Sequence, residues 1–370
     1  MSEISQPAGS AGSNAGAYSL GEILSQAECW RKGLQELQDN GASSKIQKRF
    51  GDSREWLFIG CGSSYYVALA IAAAWNEIAG RRARAVPASE LLAFPEAVLA
   101  SETGVAPVLI SRSGHTSEVV RATELLKQRS IPSLGVTCTA GQALEQLATT
   151  SIVAPVDELS MVMTASFTSM LLSLQYVGAS LGGRSDTIAA LMKLADVVER
   201  PLDTLPARIR EFVGRNQFAD YVFLGQGPYY GLACEAALKV TEMSCSYAQA
   251  FHTLEFRHGP KSIVGPETLL TFLLSEANYQ AEREVLEEMK KLGATTLVIA
   301  NNPGSRTRAA ADFLYELGCD LREPAYLAAY AFIGQLLGLY TGLQKGLDPD
   351  RPRNLSRVVI LQEEGLAVKP

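Results

Sequence analysis

VLISRSGHTSEV, residues 108–119, is the stretch whose reading sets the architecture. Val108, Leu109 and Ile110 leave a proline-containing loop as a short apolar run ending at Ser111, the pattern of a buried strand. The chain then breaks at SRSGHTSE, and from Ser117 the segment SEVVRATELLKQRS has the apolar period of a helix. A strand, a turn and a helix start bring free backbone N–H groups and the positive end of a helix dipole to one spot. Ser111, Ser113, Thr116 and Ser117 add four hydroxyls within seven residues, and Gly114 permits the tight bend. Such a turn suits a phosphate monoester, because hydroxyls and N–H groups can wrap its oxygens without the lysine and magnesium of a nucleotide loop. Thr116 or Ser117, with Glu118 in the first turn, also suits a helix N-cap. Four hydroxyls, however, exceed what one cap requires.

Working outward, WLFIG (56–60) reads as a second buried strand entering the loop CGSS, and 65–80 as an apolar helix closed by Gly80. With a further strand at SLGVTC (133–138), strands and helices alternate. Alternation predicts an α/β fold with a parallel sheet covered on both faces. Ligands of such sheets bind at the carboxyl ends of the strands, where CGSS and SRSGHTS both lie. The pattern then recurs. WLFIGCGSSYYVALA (56–70) is echoed by YVFLGQGPYYGLACE (221–235), and LISRSGHTSEVVRATELLKQRSIPSLGVT (109–137) by LLSEANYQAEREVLEEMKKLGATTLVIAN (273–301). The offsets are 165 and 164 positions, so two homologous domains are expected. The second copy carries Ala277, Asn278 and Gln280 in place of Ser113, Gly114 and Thr116, and its Glu276 would repel a phosphate. One phosphate site per chain, in the first domain, follows.

The remaining segments give provisional boundaries. Residues 1–19, rich in Ser, Gly and Ala, read as a disordered tail. A first domain with N-terminal helices occupies 20–204, with a long helical stretch over about 164–200. Pro201 and Pro206 then mark a linker. A second domain covers 205–345 and ends in a glycine-interrupted helix over 324–345. Residues 346–370 form an irregular tail whose Pro and Arg spacing points to a functional role, closing the active site.

Composition narrows the classes. The chain has 370 residues, 47% hydrophobic, with a net charge of −6 and no Lys/Arg cluster, which argues against a nucleic-acid partner. Its apolar runs, such as 68–75 and 170–181, are too short or too interrupted for a membrane span, and no secretory signal precedes them. Six scattered cysteines without CxxC spacing read as reduced thiols of a cytoplasmic protein. Three histidines without clustering argue against a metal. The GxG motifs at 60–62 and 225–227 lack a third glycine, so no nicotinamide cofactor is expected.

In order, GCGSS, SRSGHTSE, MTASFTS, EAALKVTEMS, LEFRHGP and DPDRPRNL resemble the double sugar-isomerase (SIS) domain proteins over roughly residues 50–360. That family includes the isomerase half of glucosamine-6-phosphate synthase, amino-sugar-phosphate deaminase/isomerases described as tagatose-6-phosphate ketose/aldose isomerases, and fructosamine-phosphate deglycases. The resemblance implies two tandem SIS domains, each a flavodoxin-like, doubly wound parallel sheet. It implies that Ser64, Ser111, Arg112, Ser113 and Thr116 bind the sugar phosphate, and that Thr164 belongs to the substrate loop. Glu242 would move a proton between sugar carbons 1 and 2, and Lys239 would contact the sugar hydroxyls. His258, supplied by the neighbouring subunit of a homodimer with shared active sites, would help open the ring. Glu255 would orient His258 or bind sugar.

The residues support this on their own terms. Lys239 and Glu242 lie three apart and share a helix face. Proton transfer between adjacent carbons needs one carboxylate that reaches both. Glu235 and Lys239, four apart, would equally suit a solvated surface pair. Yet Ala236, Ala237, Leu238, Val240 and Met243 around them are apolar, which predicts half-buried charges. His258 lies in RHGP, a loop position whose imidazole suits ring-opening acid–base work. Two departures from the synthase shape the expected reaction. No glutaminase segment precedes the first domain, and Arg357 replaces the tail lysine that forms a Schiff base. A guanidinium stays protonated and cannot attack a carbonyl. Met161 and Met163 also stand where the synthase carries smaller residues. The expected activity is conversion of glucosamine or galactosamine 6-phosphate to a ketose 6-phosphate and ammonia. A fructosamine-6-phosphate deglycase is one alternative. A non-catalytic sugar-phosphate-binding regulator is another.

Overall fold

Two five-stranded parallel sheets of identical topology form the framework of the computed structural model, which describes residues 14–99 and 104–361. The first contains β1 (Glu55–Gly60), β2 (Arg82–Pro87), β3 (Val105–Ser111), β4 (Leu134–Thr137) and β5 (Thr150–Val153), in the order β2-β1-β3-β4-β5. The second contains β6 (Asp220–Gly225), β7 (Ala248–His252), β8 (Thr268–Leu273), β9 (Thr295–Ala300) and β10 (Phe313–Glu316), in the order β10-β9-β8-β6-β7. Read from the other edge, the second order repeats the first. In each sheet the winding reverses between its first and third strands, which opens the crevice where such folds bind ligands. The central strands β3 and β8 are buried throughout, as expected for strands covered on both faces.

The repeat extends to backbone torsions. The helix after β1, Ser63–Ala79, is entered through Gly62 at φ 54°, ψ −128°. The helix after β6, Pro228–Ser244, is entered through Gly227 at φ 55°, ψ −127°. Between the sheets these two helices pack together with Ala165–Leu181 and the closing helix Ala331–Gln344, so both domains share one apolar core. The glycines that interrupt the closing helix are points of closest approach. A Cβ on Gly334, Gly338 or Gly342 would lie 2.4, 2.6 or 2.2 Å from Ala236, Lys239 or Met243.

Three expectations need correction. Pro201 and Pro206 do not form a linker: both lie inside one helix, Ser185–Gly214. Leu191, Leu194, Val198, Leu202, Leu205 and Ile209 continue an unbroken buried stripe across them. Packing of that stripe outweighs the two N–H groups the prolines lack. The helical stretch expected from 164 is two helices, parted at Gly182 and Gly183. Finally, much of the tail expected to be disordered over 1–19 lies outside the described residues, but its end is ordered. A helix starts at Ala17 because carboxylates from the far end of the chain hold it. Asp348 accepts from Gly16 N–H at 3.1 Å, and Asp350 from Tyr18 and Ser19 N–H at 3.1 and 2.7 Å. No helix among the described residues is long and apolar enough to cross a membrane.

Candidate active site

The hydroxyl-rich turn lies between β3 and the helix Ser117–Gln128, with Gly114 at φ 65° making the bend. Ser111 Oγ and Thr116 Oγ1 lie 3.0 Å apart, Gly114 N–H donates to Ser111 Oγ at 3.2 Å, and His115 N–H donates to Ser113 Oγ at 3.2 Å. These bonds turn the Ser111, Ser113 and Thr116 hydroxyls toward the loop. Among the described residues nothing accepts from the N–H groups of Arg112 and Ser113. Ser64 is buried at the second position of the helix that follows β1, the strand beside β3. Ser117 is already engaged by the tail: its N–H donates to Val359 O at 3.2 Å, and Leu361 N–H donates to its Oγ at 3.0 Å.

Arg112, expected on the phosphate, has its guanidinium committed elsewhere. Nη1 donates to Glu158 Oε2 and Val162 O, both at 3.0 Å, and Nη2 to Met161 O at 2.9 Å and Arg357 O at 3.1 Å. A buried carboxylate requires such a partner. The same Glu158 caps the helix Ala165–Leu181, accepting Thr164 N–H at 2.8 Å and Ser166 N–H at 2.9 Å. Thr164, expected to touch substrate, is wholly buried and donates its hydroxyl to Glu158 at 3.2 Å. Arg357 donates to Glu158 O, so the two arginines strap the tail to the 158–164 loop. At the turn, what Arg112 offers is its backbone N–H.

The carboxylate–amine pair lies where the two domains meet. Helices Ser63–Ala79 and Pro228–Ser244 cross in antiparallel fashion, with Gly231 against Ala70 and Ser63 against Glu235 and Lys239. Lys239, only 1% exposed, forms an ion pair with Glu242, lies 3.4 Å from Glu235 Oε1, and donates to Ser63 Oγ at 3.3 Å. Ser63 Oγ in turn donates to Glu235 Oε1 at 3.1 Å, while Glu235 Oε2 has no hydrogen-bond partner among the described residues. Burial pushes the Glu235 carboxyl up to about 7, opposed by the Lys239 charge and reinforced by Glu242. Burial alone would lower the Lys239 amine, but the two carboxylates outweigh it and hold the amine above its ordinary value. Glu242 is the accessible member, its side chain 15% exposed. The expectation of half-buried charges therefore understated the case for Lys239 and Glu235 and did not include Ser63. Ser63 was visible as the neighbour of Ser64 in GCGSS, and Glu235 as the residue one helical turn before Lys239 in the same apolar surroundings.

Glu255 and His258 stand apart. Glu255 opens a short 3₁₀ turn after β7, His258 N–H donates to Glu255 O at 2.9 Å, and both residues are exposed. Among the described residues no hydrogen bond or ion pair joins His258 to Lys239 or Glu242. Within one chain, then, Ser63, Glu235, Lys239 and Glu242 come together, with Ser64 next to Ser63 in the chain, and the histidine does not join them.

The equivalent turn of the second domain is filled from within. Asn278 N–H donates to Ser275 Oγ at 3.1 Å, matching Gly114 and Ser111, but Ser275 Oγ is bonded to Glu282. Glu323 accepts Glu276 N–H at 2.7 Å through Oε1 and Ala277 N–H at 3.2 Å through Oε2. Tyr229 donates its hydroxyl to the same Oε1 at 2.7 Å. The Glu276 carboxylate accepts from Asn301 Nδ2 at 2.8 Å. No group of three or more His, Cys, Asp or Glu residues suited to a metal occurs among the described residues.

Two flavodoxin-like sheets, one turn whose Arg112 and Ser113 N–H groups lack acceptors among the described residues, and a buried carboxylate–amine cluster between the sheets define a two-domain α/β framework. The model of the SIS domain matches residues 50–179 and 220–317, and the chain belongs to that family. It is 28% identical to the solved glucosamine-6-phosphate deaminase of Thermotoga maritima, covering 93% of this chain and 100% of that one, with a TM-score of 0.76. The tagatose-6-phosphate ketose/aldose isomerase of Escherichia coli shares the fold, with a TM-score of 0.82 at 24% identity over 97% of this chain and 100% of that one. Among curated relatives, the isomerizing glutamine–fructose-6-phosphate aminotransferase of Pseudomonas putida is 27% identical over 85% of this chain but only 52% of its own length. The chain thus spans about half the length of the aminotransferases it matches.

Proposed function

We propose that this chain converts an amino-hexose 6-phosphate, of the glucosamine or galactosamine kind, to a ketose 6-phosphate and ammonia. The observation that carries the reading is the Ser63–Glu235–Lys239–Glu242 cluster, in which Lys239 joins the accessible Glu242 carboxylate to Ser63, the chain neighbour of Ser64. The phosphate is held by the hydroxyls of Ser64, Ser111, Ser113 and Thr116 and by the free N–H groups of Arg112 and Ser113. Lys239 is paired with Glu242 and faces the sugar hydroxyls. With the ring open, Glu242 removes the proton from carbon 2 and returns it to carbon 1, leaving an imine at carbon 2. Water adds to that carbon and ammonia departs, so the substrate supplies the nitrogen and no protein amine is consumed. His258 and Glu255 lie outside this cluster, which fits a homodimer in which the neighbouring subunit brings the ring-opening histidine. The Thermotoga maritima relative, whose whole length this chain covers, supports the deaminase reading.

The test is a panel of glucosamine, galactosamine and fructosamine 6-phosphates with ammonia and ketose measured. Turnover of an aminohexose phosphate, reduced about 10²–10⁴-fold in Glu242→Gln with binding retained, is the expected result. Turnover of the fructosamine phosphate alone would make the protein a deglycase, and tight binding without turnover would make it a regulator.

A further inference from the structure

The internal repeat pairs Glu276 with Arg112 and Ala277 with Ser113, at 164 positions, and Tyr229 with Ser64, at 165. The Glu323 carboxylate therefore bonds to the second-domain counterparts of three groups on the first-domain turn: two adjacent loop N–H groups and the side chain at the second position of the helix that follows the sheet's first strand. We infer that the second domain retains a working anion cradle and that Glu323 is its resident ligand, a carboxylate supplied by the chain itself. Two adjacent N–H groups ahead of the helix Tyr279–Lys291 converge on one anion, as the geometry of such cradles requires. Tyr229 is wholly buried, so its hydroxyl is fixed on the site rather than shared with water. One carboxylate thus ties the 275–278 loop to the start of the helix that carries Lys239 and Glu242. Vacated, the cradle accepts a small free carboxylate or a phosphate. Glu323 also lines a groove of about 600 Å³ between the domains, beside Arg184, Lys193 and Arg322 as well as Glu77, Asp186 and Asp320.

Residue-resolved amide exchange on the intact protein tests this. In the unmodified chain the amides of Glu276 and Ala277 exchange at least about tenfold more slowly than those of Arg112 and Ser113. In Glu323→Ala they accelerate, and formate or inorganic phosphate restores their protection saturably and raises the melting temperature by more than in the unmodified protein, where only the first-domain turn is open to the anion. Glu323→Gln, which keeps the side chain's size without its charge, shows the same acceleration and covers the case in which the alanine variant does not fold. Equal exchange at 276–277 and 112–113 in the unmodified protein would overturn the inference. So would a formate or phosphate effect no larger in Glu323→Ala than in the parent.

Discussion

Lys239 shows how one side chain links stability to chemistry. It is the cation paired with both Glu235 and Glu242, and replacing it with methionine leaves Glu235 buried without that counter-charge. Such a change costs about 3–5 kcal/mol. The penalty falls on the ionised carboxylate, and Glu235 already keeps its proton up to about 7. Urea melts should therefore find Lys239→Met strongly destabilised at pH 8 and much less so at pH 5. Adding Glu235→Gln should recover most of the loss at pH 8 without restoring turnover, and equal losses at both pH values would refute the assignment. The sequence disclosed half of this cluster. Lys239 and Glu242 announced themselves by spacing and apolar neighbours, since both signals are local. The roles of Glu235 and Ser63 were hidden because each is buried by a helix of the other domain. The guanidinium of Arg112 was hidden for the same reason: its neighbours in sequence are hydroxyls, whereas its partners lie 46 to 245 residues away.

Among the elements, strand–turn–helix units were the most legible, because a buried strand and an amphipathic helix each impose their own period on a few residues. The helix Ser185–Gly214 was not, since local proline chemistry argued for a break and only tertiary burial of its stripe overrides it. The closing helix lies between these cases: its glycines read as interruptions, yet they are its contact surface. A methyl group on Gly338 would meet Lys239 O at 2.6 Å and Met243 Sδ at 3.1 Å. Backbone cannot yield there as a side-chain tip can, so Gly338→Ala must push the closing helix away from the helix that bears Lys239 and Glu242. The expected cost is about 1–3 kcal/mol of stability. With the phosphate turn untouched, kcat should fall while the KM for the sugar phosphate stays within a few-fold. Unchanged stability and kcat would mean that this helix pair does not position the cluster.

At the scale of the whole molecule the two domains divide one ancestral plan: the first keeps its turn open, and the second fills its own and contributes the Glu235–Lys239–Glu242 cluster to the shared core. That division was readable as a repeat with diverged turns, but the occupant of the second turn was not, because Glu323 lies 46 residues beyond the loop it fills. The arrangement also leaves Glu282, wholly buried and bonded to Ser275, with its carboxyl pushed up to about 7 by burial, against an ordinary value of 4.5. Between those values the folded chain holds a proton that the unfolded chain has released, so stability from this group is complete below pH 4.5 and is lost as pH rises through 7. Glu282→Gln mimics the protonated form at every pH. Its melting temperature should match that of the parent near pH 5 and exceed it by pH 8, with a difference in stability of no more than about 3 kcal/mol. A gap that stays constant across this range, or that narrows as pH rises, would show that Glu282 is ionised in the fold and that the second turn is held by charge rather than by a buried acid.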